Sequence, residues 1–506
     1  MKEHFNELKR EIPKHKIVYS LLFIVLSWGF YLRVYNIGTS LGFYFDQGRD
    51  ALVIWDLLHN GKPFLIGPTT GIAGIFRGPG YYYLITPLYL LGKGDPVWPS
   101  MFLSFTTILA ILILFILGAE IQNRITGLLA ATIAAFSFYI VTASRWLSNP
   151  TPMLVLSMIL VWLMFRVLEG KRLAWVGISF VAGLSLFHFG SSGEFFYFPA
   201  LGVFLIWQRK NLPEKKGLVL SVLVFLVTVL PLALFDIRHQ GILSNNLRKF
   251  MFEEGSFKAT FWDVVRERIN FFYDVSTNKI FHWRRARELR ILGLVGLTFL
   301  FWLPKLIKND KIKIIFLLLS SPIIGLMFFQ GNFGNIYDYY LTGYYLIFIL
   351  LFSIILGKMW NSVPGKVFVI YFLYVFINLN YHVTKSRISD QLDGKNSVGF
   401  GNSKWAVEWV YRDAGDRKFN VDVYVPPVIP YAYDYLFKWY PTTSRFQGID
   451  SELVQSNVDL LYTIYEADPP HPERLGEWLK RQEGIGRIEE EENYGGVFVQ
   501  RRTRIH

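Results

Sequence analysis

The sequence predicts an α-helical polytopic membrane protein with about eleven spans and a small C-terminal extracytoplasmic α/β domain. Three observations predict it. Hydrophobic residues make up 52% of the chain and charged residues only 18%. Apolar runs long enough to cross a bilayer recur through most of the chain, and from about residue 386 the composition becomes that of a soluble domain. This balance is typical of a membrane protein rather than of a soluble enzyme with a large core.

The membrane part is predicted to occupy residues 1–385, with outer loops at 36–96 and 236–290. Residues 80–91 are too short for a regular span and contain Pro87, so they predict a juxtamembrane helix. The predicted spans are 17–35, 97–117, 125–141, 153–168, 173–189, 195–207, 217–235, 291–303, 314–329, 340–356 and 367–379.

Charge supports this arrangement. The short loops that it places inside carry Lys or Arg, as in Lys171, Arg172, Lys358 and Lys366, and this agrees with the positive-inside rule. An odd number of spans then predicts a cytoplasmic N-terminus and a C-terminal domain on the outside of the plasma membrane. The same bias explains most of the net charge of +13, and nucleic-acid binding is disfavoured because the basic residues flank spans.

The outer loop 236–290 departs from the rule because it is rich in arginine, including Arg284, Arg285 and Arg287. Long loops partly escape the positive-inside rule. Two interpretations stay open: a solvated basic face, or a site for anionic lipid or phosphate.

In residues 386–506, segments with helical periodicity follow segments in which apolar and polar residues alternate as in a strand. This succession of helices and strands predicts the small α/β domain. The absence of cysteine rules out a disulfide framework, a zinc–thiolate site and a thiol nucleophile. The acidic run 489–492 predicts a solvated face. The predicted helices are 403–413, 431–440 and 473–481, and the predicted strands are 419–425, 460–465 and 497–500.

The chain is organised around residues 41–91, which follow the first span directly and combine acids, arginines, a Gly/Pro-rich turn and three consecutive tyrosines. Asp46, Arg49 and Asp50 are predicted at the start of a short helix. Its apolar face is expected to lie on lipid, as in interfacial helices. That face consists of Leu52, Val53, Trp55 and Leu58.

Asp46 is the first candidate for chemistry. A carboxylate at the outer surface can take a proton from an incoming nucleophile, and carboxylates can also hold a metal ion. The alternative is an acid that faces the positive end of the helix dipole, and this describes Asp50 equally well.

Arg49, Arg77 and Arg145 recur in the outer segments. A guanidinium group binds phosphate in a fork and stabilises a phosphate leaving group as negative charge builds on it. The alternative is snorkelling beside lipid headgroups. Arg77 and Arg145 flank Gly-Pro and Asn-Pro turns, which favours the first interpretation.

Further polar residues fall on the same side of the membrane. His188 ends an outgoing span and is either a ligand-facing residue or a satisfied core histidine. Asp338 and Tyr339 precede a span. A tyrosine at this position is explained either by the aromatic belt of the membrane interface or by stacking on a sugar. Tyr82 belongs to the tyrosine triplet.

These motifs resemble those of the GT-C superfamily of membrane glycosyltransferases, in particular the protein O-mannosyltransferase and aminoarabinose-transferase branch, the family 39-type enzymes. The similar segments span residues 17–385. They read FDQGRDA, FRGPGYYYLITPLYLLG, SRWLSNP, LFHFGSS and PLALFDIRH.

Two departures from the family pattern matter. An acidic pair of the family is Asp46-Gln47 here, and an acid in its second outer loop is Asn149 here. Fewer carboxylates weaken the case for a divalent metal, so no metal or other cofactor is assigned. They leave Asp46 as the expected base.

The resemblance implies transfer of a hexosyl or pentosyl group from a polyprenyl-phosphate sugar donor to an acceptor hydroxyl at the outer face, with inversion. The expected donor or phosphate ligands are Arg49, Arg77, Arg145, Arg284 and Arg285. The expected acceptor or sugar ligands are Asp50, Tyr82, Asn149, His188, Asp338 and Tyr339.

The acceptor is a glycan, a lipid or a protein. Two other functions stay open, a transporter or flippase of polyprenyl-linked glycans and a membrane scaffold with a partner-binding outer domain. A transporter predicts ionisable residues in mid-span and two corresponding halves of the chain. The spans here carry little charge in mid-membrane and show no evident halves.

Overall fold

The structure is a computed structural model that describes residues 11–70, 74–253, 260–328, 334–389, 398–426, 429–446 and 449–505. Helices dominate it up to Ser389, and a small mixed sheet follows. The helices are α1 (Lys16–Val34), α2 (Ile37–Ser40), α3 (Phe45–Asn60), α4 (Gly80–Leu91), α5 (Val97–Ile121), α6 (Arg124–Phe136), α7 (Phe138–Arg145), α8 (Met153–Leu168), α9 (Ala174–Leu184), α10 (Tyr197–Trp207), α11 (Lys215–Arg238), α12 (Ile242–Phe252), α13 (Phe261–Asn278), α14 (Ala286–Leu306), α15 (Asp310–Leu326), α16 (Tyr345–Met359), α17 (Val363–Ser389), α18 (Phe400–Ala414), α19 (Tyr431–Trp439) and α20 (Pro472–Glu483).

Six helical segments of the described chain are long and apolar enough to cross a membrane, and the bent pair α6–α7 makes a seventh if it counts as one span. Three more apolar helices are shorter, at residues 153–168, 174–189 and 194–207. A multi-pass helical protein is therefore confirmed in outline, while the predicted number of about eleven spans stays a prediction.

The predicted span 125–141 is broken at Ser137, where α6 and α7 meet at 62°. The break is held by other parts of the chain. The backbone N–H of Phe138 donates to Asn380 Oδ1 at 2.9 Å, and Ser137 Oγ donates to the Lys279 carbonyl at 2.7 Å. The first bond satisfies an N–H that a continuous helix would pair internally, and the second ties the break to the end of α13.

The region 236–290, predicted as a polar outer loop, contains the two amphipathic helices α12 and α13. Thr260 caps α13 by accepting from the Asp263 N–H. Arg268 of α13 is buried and donates to the carbonyls of Leu326 and Gly334. Part of the basic character of this region therefore stabilises the fold.

The C-terminal part holds a five-stranded sheet of strand order β2-β1-β3-β5-β4, in which β1 is parallel to β2 and β3. Each predicted strand and helix of this part is present, within a few residues at its ends. The run 489–492 lies in β4 with exposed side chains, as predicted. The strands are β1 (Lys418–Tyr424), β2 (Glu452–Leu453), β3 (Leu460–Glu466), β4 (Gly486–Tyr494) and β5 (Val497–Arg504).

The apolar face of α3 packs on the C-terminal domain, so the expectation that it lies on lipid is wrong. A Cβ on Gly48 would lie 2.3 Å from the Ala432 backbone nitrogen, which shows how closely α3 approaches α19. Trp55 meets the Tyr435 ring edge to face. The domain thus supports the helix that carries Asp46.

Candidate active site

Arg49 joins both acids at the start of α3. Its Nη1 lies 2.8 Å from Asp46 Oδ1, and its Nη2 lies 2.7 Å from Asp50 Oδ1. Tyr82 of α4 donates its hydroxyl to the same Asp50 oxygen at 2.8 Å. Asp46, Arg49, Asp50 and Tyr82 thus form one network, called here the acid network.

The two acids differ in exposure. The Asp46 side chain is 59% exposed and that of Asp50 only 7%. Burial raises the pKa of Asp50 to about 6, although Arg49 acts in the opposite direction. The Asp46 carboxylate is therefore open to solvent, whereas the buried Asp50 anchors Arg49.

Gln47, which replaces an acid of the family pattern, has a structural role at this position. Its Oε1 accepts from the Tyr44 N–H and its Nε2 donates to the Leu147 carbonyl at 3.1 Å. The bond to Leu147 ties α3 to the loop after α7. In that loop, Asn149 donates to the Phe189 carbonyl at 3.2 Å.

Arg77 lies in the turn between α3 and α4 and keeps part of its surface accessible. Within the described part of the chain, no hydrogen bond or ion pair engages its guanidinium. Burial lowers the pKa of Arg77, and the nearby Glu194, Tyr339 and Tyr340 act in the opposite direction. An enclosed cation without a direct partner is suited to an anionic ligand.

Glu194 is buried and holds two loops together. Its carboxylate accepts the N–H of Ser191 at 2.6 Å and that of Gly343 at 2.7 Å. Glu194 therefore lies near Arg77 while its oxygens are occupied by backbone donors. The N–H groups of the Arg77 guanidinium are therefore not bonded to Glu194.

His188 supports the Arg77 turn. Its Nδ1 accepts from the Gly80 N–H at 2.9 Å, and its Nε2 lies 2.7 Å from the Thr228 carbonyl. This pair of contacts fits the neutral ring with the proton on Nε2. A Cβ on Gly78 would lie 2.5 Å from the ring, so glycine permits the close approach.

Asp338 and Tyr339 line a small cavity beside Lys279. Lys279 Nζ is 2.7 Å from Asp338 Oδ2, and Tyr345 donates its hydroxyl to Asp338 Oδ1 at 2.6 Å. Burial lowers the pKa of Lys279, and Asp338 opposes that change. The Tyr339 ring meets Trp146 edge to face.

Two cavities meet at this ion pair. One, of about 370 Å³, is lined mainly by apolar side chains of α13 to α16, with Lys279 and Tyr345 at its border. The other, of about 200 Å³, is lined by Trp146, Tyr339 and Asp338 and by the same Lys279 and Tyr345. The two cavities thus share Lys279 and Tyr345 in their linings.

Arg145 is placed differently from Arg77. Its Nη1 donates to the carbonyls of Leu32, Arg33 and Tyr35, and its Nη2 donates to Ser40 Oγ at 2.6 Å. These bonds join α7 to the end of α1 and to α2. The structure gives Arg145 a place in the scaffold, and a contact with phosphate stays a prediction.

Arg284 and Arg285 lie just before α14. Arg284 Nη1 donates to Asp274 Oδ1 at 2.6 Å and to Thr277 Oγ1 at 2.7 Å. The Arg285 N–H donates to Glu288 Oε2 at 2.9 Å. Their assignment to donor binding also stays a prediction.

Sequence reasoning missed Lys279 and Glu194. Lys279 looks like one more basic residue of the outer region, so no local signal marks it. Glu194 is the acid in the segment GSSGEFF between two apolar runs. An acid in such surroundings is a signal from which a functional or structural role could have been predicted. Among the described residues, no group of three or more His, Asp or Glu side chains is arranged to hold a metal ion.

Known proteins resemble this chain in part of its sequence and in its fold. The family model described as dolichyl-phosphate-mannose-protein mannosyltransferase matches residues 77–235. No curated protein sequence matches the chain.

Among solved structures, ArnT from Cupriavidus metallidurans in the apo state is similar with a TM-score of 0.61 at 9% identity, over 97% of this chain and 98% of that one. ArnT bound to undecaprenyl phosphate is similar with a TM-score of 0.59 at 10% identity, over 97% and 98% of the two chains. The apo oligosaccharyltransferase of Archaeoglobus fulgidus has a TM-score of 0.50 at 12% identity, over 84% and 64%.

The predicted resemblance to the GT-C superfamily of membrane glycosyltransferases is confirmed. The likeness to ArnT includes the C-terminal sheet domain, because it covers nearly the whole of both chains. At these identities the solved structures establish the fold, and substrates have to be argued from the site.

Proposed function

We propose that this protein transfers a sugar from a polyprenyl-phosphate-linked donor to an acceptor hydroxyl at the outer membrane face, with inversion. The observation that carries this function is Arg77, an enclosed guanidinium whose donors meet no partner among the described residues. A phosphate oxygen pair fits such a fork. The family model and the ArnT bound to undecaprenyl phosphate support the same donor class.

The cavities supply a path for the donor. Its polyprenyl chain lies in the apolar cavity of about 370 Å³ between α13 and α16. Its phosphate then reaches the cavity of about 200 Å³ beside Lys279 and Tyr339. Tyr339 lies close enough to Arg77 to influence its charge. The lipid tail stays in apolar surroundings while the charged group meets fixed cations.

Asp46 acts as the base from the other side of the sugar. The acceptor hydroxyl gives its proton to Asp46 as its oxygen bonds to the anomeric carbon. The bond from that carbon to the phosphate oxygen breaks, and the electron pair leaves with polyprenyl phosphate. Arg77 stabilises the growing negative charge, which is the state where fixed donors contribute most.

A single displacement inverts the anomeric centre. Asp46 is suited to the role of base because it is the exposed acid of the network, and Arg49 holds it in place. Asp50 is buried under the same Arg49 and orients it. With the N-terminus in the cytoplasm and the C-terminal domain outside, as the charge pattern predicts, both sites would lie where lipid-linked donors and acceptors meet.

The experiment is transfer of labelled sugar from a polyprenyl-phosphate donor by the full chain in nanodiscs. We expect Asp46→Asn to lower turnover by about 10² to 10⁴-fold, the usual contribution of general-base catalysis. Donor affinity should stay within a few-fold, because Asn keeps the shape of Asp and the donor phosphate binds elsewhere.

Asp56→Asn is the matched control, since Asp56 lies on the same helix with an exposed side chain that lies 3.7 Å from Lys62. It should leave turnover unchanged. Normal turnover in folded Asp46→Asn would remove Asp46 from the role of base. Unaltered transfer by both Asp46→Asn and Arg77→Gln would contradict the proposed site as a whole.

A further inference from the structure

A groove of about 1050 Å³ runs along one edge of the C-terminal sheet. It is lined by residues 420–423 of β1, by residues 451–455, and by Phe437 and Phe446 on one side and Gln482 and Ile485 on the other. Leu52 of α3 also lines it. The groove therefore lies between the sheet and the helix that carries Asp46.

Within the described residues, no strand pairs with much of the β1 edge that faces this groove. β2 pairs only with Lys418 and Phe419. The Val454 N–H donates to the Phe419 carbonyl, which shows that residue 419 directs its backbone groups to this side. Alternate residues of a strand do the same, so Val421 and Val423 present their N–H and C=O groups to the groove.

The opposite edge of the sheet is protected. β4 carries the exposed run 489–492 of four glutamates, and charge on an edge strand prevents another strand from adding to it. The β1 edge has two half-buried valines at the corresponding outward positions. This contrast marks the β1 edge as the one open to strand addition.

We propose that this groove binds an extended segment of a protein acceptor, which adds to β1 as a further strand. This inference rests on the proposed function and names its acceptor class. Main-chain hydrogen bonds to Val421 and Val423 hold the segment, as in other complexes formed by strand addition. The buried Gln482 Oε1, which has no partner in the described structure, is a further acceptor lining the groove.

The shape of the groove favours a single segment over a second copy of this chain. Asp422 contacts Gln482 on one face of β1, whereas Phe419 packs on Tyr411 on the other. Helices cover both faces, so the edge is recessed between two walls. A single extended strand fits between such walls, but the edge of a whole second sheet does not.

The groove also lies at a suitable distance from the base. Leu52 and Asp46 are six residues apart on α3, which is about 9 Å along the helix axis. Extended chain covers that distance in about three residues. The hydroxyl that receives the sugar is therefore expected about three residues beyond the docked segment.

The test uses full-length Asp46→Asn protein in nanodiscs without donor, so that binding is measured separately from transfer. The probe is a labelled nine-residue peptide of alternating valine and threonine, followed by fluorescence polarisation. Two analogues carry N-methyl groups, one on the odd residues and one on the even residues. Only one set of N–H groups of an added strand faces β1.

We expect one N-methylated analogue to bind at least about tenfold more weakly than the parent peptide, and the other to bind within about threefold of it. In the protein, Val423→Pro removes an edge N–H and should weaken binding about tenfold, while Val423→Ala keeps it and should change binding little. Thermal unfolding checks that both variants fold.

Equal binding of both analogues, or no saturable binding of the parent peptide, would overturn the groove assignment. If small hydroxyl acceptors still receive sugar in that case, the proposed function stands without it. If the peptide binds as described but the wild-type protein transfers no sugar, the groove assignment stands and the proposed function is wrong.

Discussion

Arg77 and Arg145 both lie next to turns of the helical part of the chain, yet the same side chain has opposite surroundings at the two positions. The guanidinium of Arg145 donates to three backbone carbonyls and to Ser40. The guanidinium of Arg77 meets no hydrogen-bond partner in the described chain. An arginine whose donors are filled stabilises the fold, and one whose donors are open can bind an anion.

The largest expected effect is at Arg77. Arg77→Gln should lower the transfer rate by about 10² to 10³-fold, the usual effect of removing one donor that stabilises a developing negative charge. Transfer of labelled sugar by protein in nanodiscs measures it. Arg77→Lys keeps the charge without the fork and should recover part of the rate. Full activity in Arg77→Gln would place the phosphate elsewhere.

Arg145→Gln should act on stability instead. Several carbonyls would lose a charged donor in a buried place, so the free energy of unfolding should fall by about 3 kcal/mol. Thermal unfolding in detergent measures it against Arg77→Gln, which should change stability far less. If folded Arg145→Gln loses as much transfer activity as Arg77→Gln, the two arginines share one role after all.

Arg49 lies between these extremes, because two carboxylates share it. Burial raises the pKa of Asp50 to about 6. The folded protein therefore holds this proton more tightly than the unfolded chain, and the resulting contribution to stability is lost as the pH rises toward 6. Below pH 6 the neutral Asp50 releases Arg49 to pair with Asp46 alone.

The transfer rate of the wild type should therefore fall several-fold as the pH decreases through about 6. Asp50→Asn mimics the neutral form, so its rate should be lower at pH 7 and should not change near pH 6. A pH profile of turnover, with protein folding monitored at each pH, compares the two. If the transfer rate of Asp50→Asn still falls near pH 6, the fall in rate belongs to the titration of another group.

Part of the fold could be predicted because it depends on local patterns. The bounds of α4 and α8 agree with the predicted helices, since each apolar run ends at clear polar or turn residues. The strands of the C-terminal domain are present for the same reason. In contrast, α12 and α13 alternate charged and apolar residues at helical spacing, a pattern that was read as a polar loop.

The sequence by itself determined that this is a membrane protein with a C-terminal α/β domain, and it placed Asp46, Arg49 and Arg77 near one another along the chain. Only the tertiary structure decided which partners each charge has. The acceptors of Arg145 lie about a hundred residues earlier, and the partner of Lys279 lies 59 residues later. Hydrogen bonding depends on distance in space, and no local pattern records such pairings.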